Sequence, residues 1–156
     1  MTTESTTSPI EQLYRKQGGH LWLSLLAFSG DPEVASDSVA EAFAQLLGRG
    51  DAVRSPERWV WRAAFRIAAG TLKARRRSLP ASPEVSYVME EPARDLVAAL
   101  ARLSPRQRAA VVLHHAADYP IKEVAAILGT SQAAVKVHLA RGRARLRDLL
   151  GDDDDG

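Results

Sequence analysis

Residues 131–147 contain no Asp or Glu, yet they carry Lys136, Arg141, Arg143, Arg145 and Arg147 together with Ser131, Gln132 and His138. Projected on a helix, Val135, Leu139, Gly142, Leu146 and Leu149 share one face. Gln132, Lys136, Arg143 and Arg147 line one flank of that face, and His138, Arg141 and Arg145 line the other. An α-helix fits the DNA major groove, where Lys and Arg meet guanine edges or phosphates and Gln pairs with adenine. Just upstream, residues 121–135 have the spacing of a helix-turn-helix. Val124 and Leu128 bury a short helix, Ala125 lets the next helix pass closely, Gly129 supplies the turn, and Val135 packs the second helix back. The chemistry on offer is non-covalent reading of a nucleic acid, with Ser131, Gln132, Lys136, His138, Arg141 and Arg145 as the candidate contacts. A helical hairpin with a solvated basic face is the plainer reading of the same residues.

Covalent and metal chemistry have little to draw on. The chain has no Cys, which excludes disulfides, cysteine-ligated zinc and a thiol nucleophile. Of the four His, His114 and His115 are neighbours whose directions on a helix diverge by about 100°, so they do not chelate one ion together. His20 and His138 lie in different halves, and there is no HExxH pattern. Neither catalysis nor a metal or other cofactor is expected. No apolar run approaches the roughly 18 residues of a membrane span, and residues 1–7 are polar, unlike a signal peptide. The expected location is the cytoplasm, without membrane insertion.

The elements that must position these residues read as helices almost throughout. Ser8-Pro9-Ile10-Glu11 combines a cap, a first-turn Pro and an early Glu, so a helix starts near Pro9. Leu13, Leu21, Leu25 and Phe28 form its apolar stripe; Gly18-Gly19 weakens its middle and is a place for a break. Gly30-Asp31-Pro32-Glu33 opens a second helix with Val34, Val39, Phe43, Leu46 and Leu47 as its apolar set. Ser55-Pro56-Glu57 opens a third, running through Trp59, Val60, Ala63, Ala64, Ile67, Ala68 and Leu72 into the basic cluster at 73–77. Residues 78–92 lose the helical period and contain Pro80, Pro83 and Pro92, which marks a linker. Beyond it, Leu96, Leu100 and Leu103 close a short helix, Ser104-Pro105-Arg106-Gln107 opens the next, and the last runs from about Ser131 to Leu150. The fold expected is all-α: two small helical domains at 8–77 and 95–150, joined by a Pro- and Ser-rich acidic linker at 78–94 and followed by an acidic tail at 151–156.

Charge follows the same divisions. The formal net charge of +2 resolves into −3 over residues 1–50, +6 over 51–77, −3 over 78–95, +7 over 96–147 and −5 from 148 onward. Two basic blocks separated by an acidic spacer suggest two contacts with one polyanion.

The chain as a whole resembles the extracytoplasmic-function group of bacterial RNA polymerase sigma factors, over roughly residues 10–150. In the first half, the resemblance is carried by Gly30-Asp31-Pro32-Glu33-Val34-Ala35-Ser36-Asp37-Ser38-Val39-Ala40-Glu41-Ala42-Phe43. It is carried also by Trp59-Val60-Trp61-Arg62-Ala63-Ala64 followed by the cluster 73–77. In the second half, Leu103-Ser104-Pro105-Arg106-Gln107-Arg108 is similar to the family's opening helix. Val135-Lys136-Val137-His138-Leu139-Ala140-Arg141-Gly142-Arg143-Ala144-Arg145-Leu146 is similar to its recognition helix.

The resemblance implies a region 2-like domain at 8–77 that binds polymerase and melts promoters, and a region 4-like helix-turn-helix domain at 95–150 that reads the minus-35 element. It implies core RNA polymerase, promoter DNA and an anti-sigma factor as partners, with Asp37 and Glu41 facing the polymerase. For the minus-10 element it implies a melting helix with Arg58, Trp59, Arg62, Arg66, Lys73, Arg75, Arg76 and Arg77. Aromatic faces beside cations are the means by which unstacked bases are held. Trp59, Arg62 and Arg66 share one side, whereas Trp61 and Phe65 belong either to that surface or to the core.

Family members usually carry Asn where Arg66 aligns and Asp near Gly70. Arg66 has donors only, so it holds phosphate without reproducing an amide's two-way pairing. In the linker, Glu84, Glu90, Glu91 and Asp95 are either mimics of RNA phosphates in the polymerase channel or part of a plain soluble tether. The alternative for the whole chain is a free-standing helix-turn-helix regulator that binds DNA without engaging polymerase.

Overall fold

The computed structural model describes residues 8–78 and 91–151. Most of the linker and the acidic tail therefore lie outside the described residues. Among the described residues seven α-helices follow one another: α1 Pro9–Ser29, α2 Pro32–Arg49, α3 Pro56–Ser78, α4 Glu91–Leu100, α5 Pro105–Val111, α6 Ile121–Leu128 and α7 Gln132–Leu150. A 3₁₀ turn at Gly50–Ala52 follows α2, and a π-helical turn at Val112–Ala116 extends α5. Among the described residues there is no strand, and no helix is long and apolar enough to cross a membrane.

Local chemistry sets most of the boundaries. The Ser8 hydroxyl accepts from the Glu11 N–H at 3.1 Å, and the Asp31 carboxylate accepts from the Glu33 N–H at 2.8 Å. Ser104 and Gln107 form a reciprocal capping box, and the Ser131 hydroxyl accepts from the Ala134 N–H at 3.1 Å. Each cap satisfies an amide that the first turn leaves unpaired, typically worth about 1 kcal/mol. The break allowed at Gly18-Gly19 does not occur, and α1 runs through it. Gly18 is buried against the Tyr14 ring, and packing on α2 and α3 holds the helix together across its two weak residues. The linker reading also extended too far, because α4 already begins at Glu91. Pro92 sits in its first turn, where a missing N–H removes no hydrogen bond.

Helices α1, α2 and α3 pack on one another, while α7 lies against α5 and α6. The two halves also meet, chiefly where α3 packs on α6 and α1 approaches α4 and the π turn. Their apolar residues form one continuous core, from Leu21, Phe28 and Trp61 in the first half to Leu113, Val124 and Leu139 in the second. Arg108 ties the halves with a polar contact. It reaches from α5 to donate to the Phe28 carbonyl at 3.1 Å and the Leu103 carbonyl at 3.3 Å, with its guanidinium 5.2 Å from the centre of the Phe28 ring. A cation there satisfies an orphan carbonyl at the negative end of α1. Burial, with a lesser push from Arg76, lowers its pKa to about 10, so Arg108 remains charged.

Two apolar assignments move. Leu47 and Leu96 face solvent, at 62% and 44% exposure, while their neighbours Leu46 and Val97 are buried. The helix period admits either register when two apolar residues are adjacent, and the partner helix decides between them.

Gly142 sets how closely α7 approaches α5. A Cβ placed there would stand 2.8 Å from Val111 Cγ2, and Gln107 lies just beyond. Gly142→Ala is expected to destabilise the fold by about 1–3 kcal/mol through overpacking, outweighing the helix-propensity gain of about 1 kcal/mol. Urea denaturation checks this; an unchanged or raised midpoint would mean that the α5–α7 contact is looser than the geometry indicates.

Candidate nucleic-acid interface

The helix-turn-helix is built from α6 and α7. Val124, Ala125 and Ile127 bury α6. Gly129 then turns the chain with φ 67°, and its N–H donates to the Ala125 carbonyl. That left-handed conformation is strained for any residue with a Cβ, and a Cβ at Gly129 would also stand 2.9 Å from an Arg62 nitrogen. Ser131 caps α7, and Val135, Leu139 and Gly142 seat it against α5 and α6.

Seating α7 this way fixes what it shows outward. Ala133, Val137, Ala140 and Ala144 are exposed along its outermost line. Gln132, Lys136, Arg143 and Arg147 stand exposed on one flank, and Arg141 and Arg145 on the other. A small, weakly apolar crest between two rows of cations suits a groove, because the crest goes deep while the cations meet both backbones. Ion pairs among the described residues join Arg15 to Glu11, Arg58 to Glu123 and Arg75 to Asp31, and none involves α7. Its charge is therefore not neutralised within the described fold.

Two candidate contacts have a second environment. The Ser131 hydroxyl is already engaged as the cap of α7. His138 is half-buried and turns toward the first half. There it lines a cleft of about 260 Å³ together with Phe28, Arg62, Phe65, Arg66 and Arg106. Burial, and then Arg106 and Arg141, lower the His138 pKa and favour the neutral ring. The neighbours His114 and His115 do not splay apart; their rings meet edge to face at 4.9 Å within the π turn. His114 Nδ1 lies 2.8 Å from the Tyr119 carbonyl, and His115 Nε2 lies 3.4 Å from Arg143. Burial lowers the His115 pKa, with His114 and Arg143 adding to the effect.

On α3 the aromatic residues separate. Trp61 is fully buried, edge-on to His20 at 5.3 Å and to Tyr119 at 5.0 Å, and stacked with Phe65 at 6.2 Å. Phe65 is buried against Phe28, 5.2 Å away. Both belong to the core, which leaves Trp59 as the half-buried aromatic of this helix, with the Arg49 guanidinium 5.3 Å from its ring centre.

The cations of α3 divide as well. Arg62, Arg66, Lys73, Arg76 and Arg77 are exposed and have no carboxylate partner within the described fold. Arg75 pairs with Asp31 at 2.6 Å. Burial alone would raise the Asp31 pKa, but the hydrogen bond and charge of Arg75 and the backbone N–H groups of α2 outweigh it and lower the value. Arg58 makes a two-pronged contact with Glu123 of α6, at 2.8 and 2.9 Å. Asp37 and Glu41 lie on the exposed face of α2, with Glu41 accepting from Gln45 at 3.0 Å. Glu123 and Tyr119 had no signal in the sequence, since their partners lie more than 60 residues away.

The fold and this surface define a class: an all-helical DNA-binding protein whose second half is a helix-turn-helix. Residues 93–146 match the family described as Sigma-70, region 4. The RNA polymerase sigma-E factor of Streptomyces coelicolor is 30% identical over 150 residues, which cover 90% of this chain and 85% of that protein. The ECF RNA polymerase sigma factor SigM of Mycobacterium tuberculosis is 49% identical over 53 residues, covering 34% of this chain and 27% of SigM. The fold is similar to that of the sigma factor RpoE from Bartonella quintana, solved in complex with the anti-sigma factor NepR. There the TM-score is 0.75 at 22% identity, over 92% of this chain and 97% of the other. This chain belongs to the extracytoplasmic-function group of RNA polymerase sigma factors.

Proposed function

We propose that this protein binds core RNA polymerase and directs it to specific promoters, with α7 reading the minus-35 element and the first half engaging the minus-10 element. The observation that carries this reading is the outer surface of α7, a crest of small residues between two rows of cations with no carboxylate partner. On α3, Trp59, Arg62, Arg66, Lys73, Arg76 and Arg77 supply an aromatic face and cations for a single strand. Asp37 and Glu41, exposed on α2, serve as the polymerase contact, and the division into a region 2-like and a region 4-like domain follows the same assignment. An anti-sigma factor is the proposed inhibitory partner, as RpoE has in NepR, and the proposed setting is the cytoplasm.

The test is reconstituted transcription. Purified protein mixed with core polymerase should co-elute with it and give promoter-directed transcripts, and Asp37→Lys with Glu41→Lys should abolish co-elution. DNA binding without polymerase association would favour the free-standing regulator instead. Binding with normal polymerase association but no promoter opening would point to Arg66 and Gly70, where the family resemblance implies an Asn at Arg66 and an Asp near Gly70.

A further inference from the structure

The cleft of about 260 Å³ between α3 and the helix-turn-helix gathers positive charge. Arg62 and Arg66 stand one turn apart on α3, and Arg106, at the start of α5, lines the same space. Arg62 lies over the turn of the helix-turn-helix, where its guanidinium nitrogen would stand 2.9 Å from a Cβ at Gly129. All three arginines are exposed and none has a carboxylate partner within the described fold. No Asp or Glu is among the described residues that line the cleft. Cations gathered without a counter-charge raise the local potential and attract an anion. The wall behind them is apolar, with Phe28, Phe65, Ile127 and Leu128 lining the same space. Thr130 and His138 add a hydroxyl and an imidazole, each able to donate or accept a hydrogen bond.

We propose that this cleft binds a free nucleotide of the size of a nucleoside diphosphate, with its phosphates on Arg62, Arg66 and Arg106 and its base against the apolar wall. Three separate guanidinium forks favour phosphate over carboxylate, because a diphosphate has enough terminal oxygens to engage every fork whereas a carboxylate has two. The volume lies near the low end for small-molecule pockets, about 300 Å³, which suits one nucleotide and is too small for a duplex or for acyl chains. The phenyl edges and aliphatic side chains take the flat base, while Thr130 and His138 pair with ribose hydroxyls or ring nitrogens. Binding rests on the cleft alone. One consequence rests on the DNA-facing role proposed for Arg62 and Arg66: nucleotide and single-stranded DNA compete for those two side chains.

Arg106 is exposed and stands outside the proposed DNA contacts, so Arg106→Ala reports on the cleft at little cost to folding. Titration calorimetry of the full chain with adenosine 5′-diphosphate should show saturable binding, weakened about 10-fold by Arg106→Ala. Arg102→Ala, which removes the same charge at an exposed position outside the cleft, should leave it unchanged. Adenosine and pyrophosphate should each bind more weakly than the nucleotide by about 10-fold or more, since each engages only part of the site. Burial, then Arg106 and Arg141, lower the His138 pKa, and bound nucleotide should raise it again in an NMR titration, because a nearby anion favours the imidazolium. No saturable binding, or equal losses in Arg106→Ala and Arg102→Ala, would overturn the site. Pyrophosphate binding as tightly as the nucleotide would overturn the role of the apolar wall. A peptide of residues 83–92, with Glu84, Glu90 and Glu91, that binds through Arg106 where the nucleotide does not would give the cleft to the acidic linker instead. On an oligothymidylate of about 20 nucleotides, added nucleotide should weaken binding. Nucleotide binding without such competition would overturn the DNA role of Arg62 and Arg66 and leave the site standing.

Discussion

Trp61→Ala is expected to lower the unfolding free energy by about 3–5 kcal/mol, the range for deleting a fully buried large aromatic. Against a total stability of about 5–15 kcal/mol, that is roughly a fifth or more of what holds a domain folded. The size of the effect follows from position. Trp61 is fully buried and touches His20 from α1, Phe65 from its own helix and Tyr119 from the second half, so truncation opens a cavity where three elements meet. Its indole Nε1 has no hydrogen-bond partner. Trp61→Phe therefore forfeits no polar contact, and its cost should be smaller, about 1–2 kcal/mol. Trp59→Ala, at a half-buried site beneath Arg49, should cost about 1 kcal/mol while weakening single-strand binding. Thermal unfolding followed by circular dichroism, beside oligothymidylate titration, separates the two tryptophans. Equal stability losses at Trp59 and Trp61 would contradict the core assignment.

The same pair shows what the sequence could and could not say. Residues two apart on a helix point in directions differing by about 200°, so Trp59 and Trp61 could not both face a DNA strand. Which of them turned inward depended on His20 and Tyr119, neither of which is local. The helix starts were legible because Ser8, Asp31, Ser104 and Ser131 act within three residues of themselves. The helix-turn-helix was legible for a related reason: Gly129, Ala125 and Val135 meet within a dozen residues, and the family pattern runs through them. Ambiguity entered wherever two apolar residues stood side by side, as at Leu46 and Leu47 or Leu96 and Val97. It entered again wherever a charge found a distant partner. Arg58 reads as a DNA cation in sequence and as half of an ion pair in the fold, since Glu123 lies 65 residues away. Arg108 appears in the sequence only as part of the opening-helix motif, and its burial depends on an acceptor, the Phe28 carbonyl, 80 residues upstream.

Removing Lys136 and Arg141 together should weaken binding to upstream-element duplex by about 10- to 100-fold at low salt, with little change in stability. Both are exposed, and neither has a carboxylate partner within the described fold, so folding loses almost nothing with them. They stand on opposite flanks of the crest formed by Ala133, Val137, Ala140 and Ala144, so each would meet a different wall of the groove. Two independent phosphate contacts predict two separable results. Each single substitution should lower the dependence of log affinity on log salt by about 1, and the double substitution by about 2. Arg143→Ala should do less, because that guanidinium already lies toward His115, 3.4 Å away. Gel-shift titrations at several salt concentrations measure all four variants. If Lys136→Ala and Arg141→Ala leave both affinity and salt slope unchanged, α7 is not the helix in the groove, and the polyanion must be met through the basic surface of α3 instead.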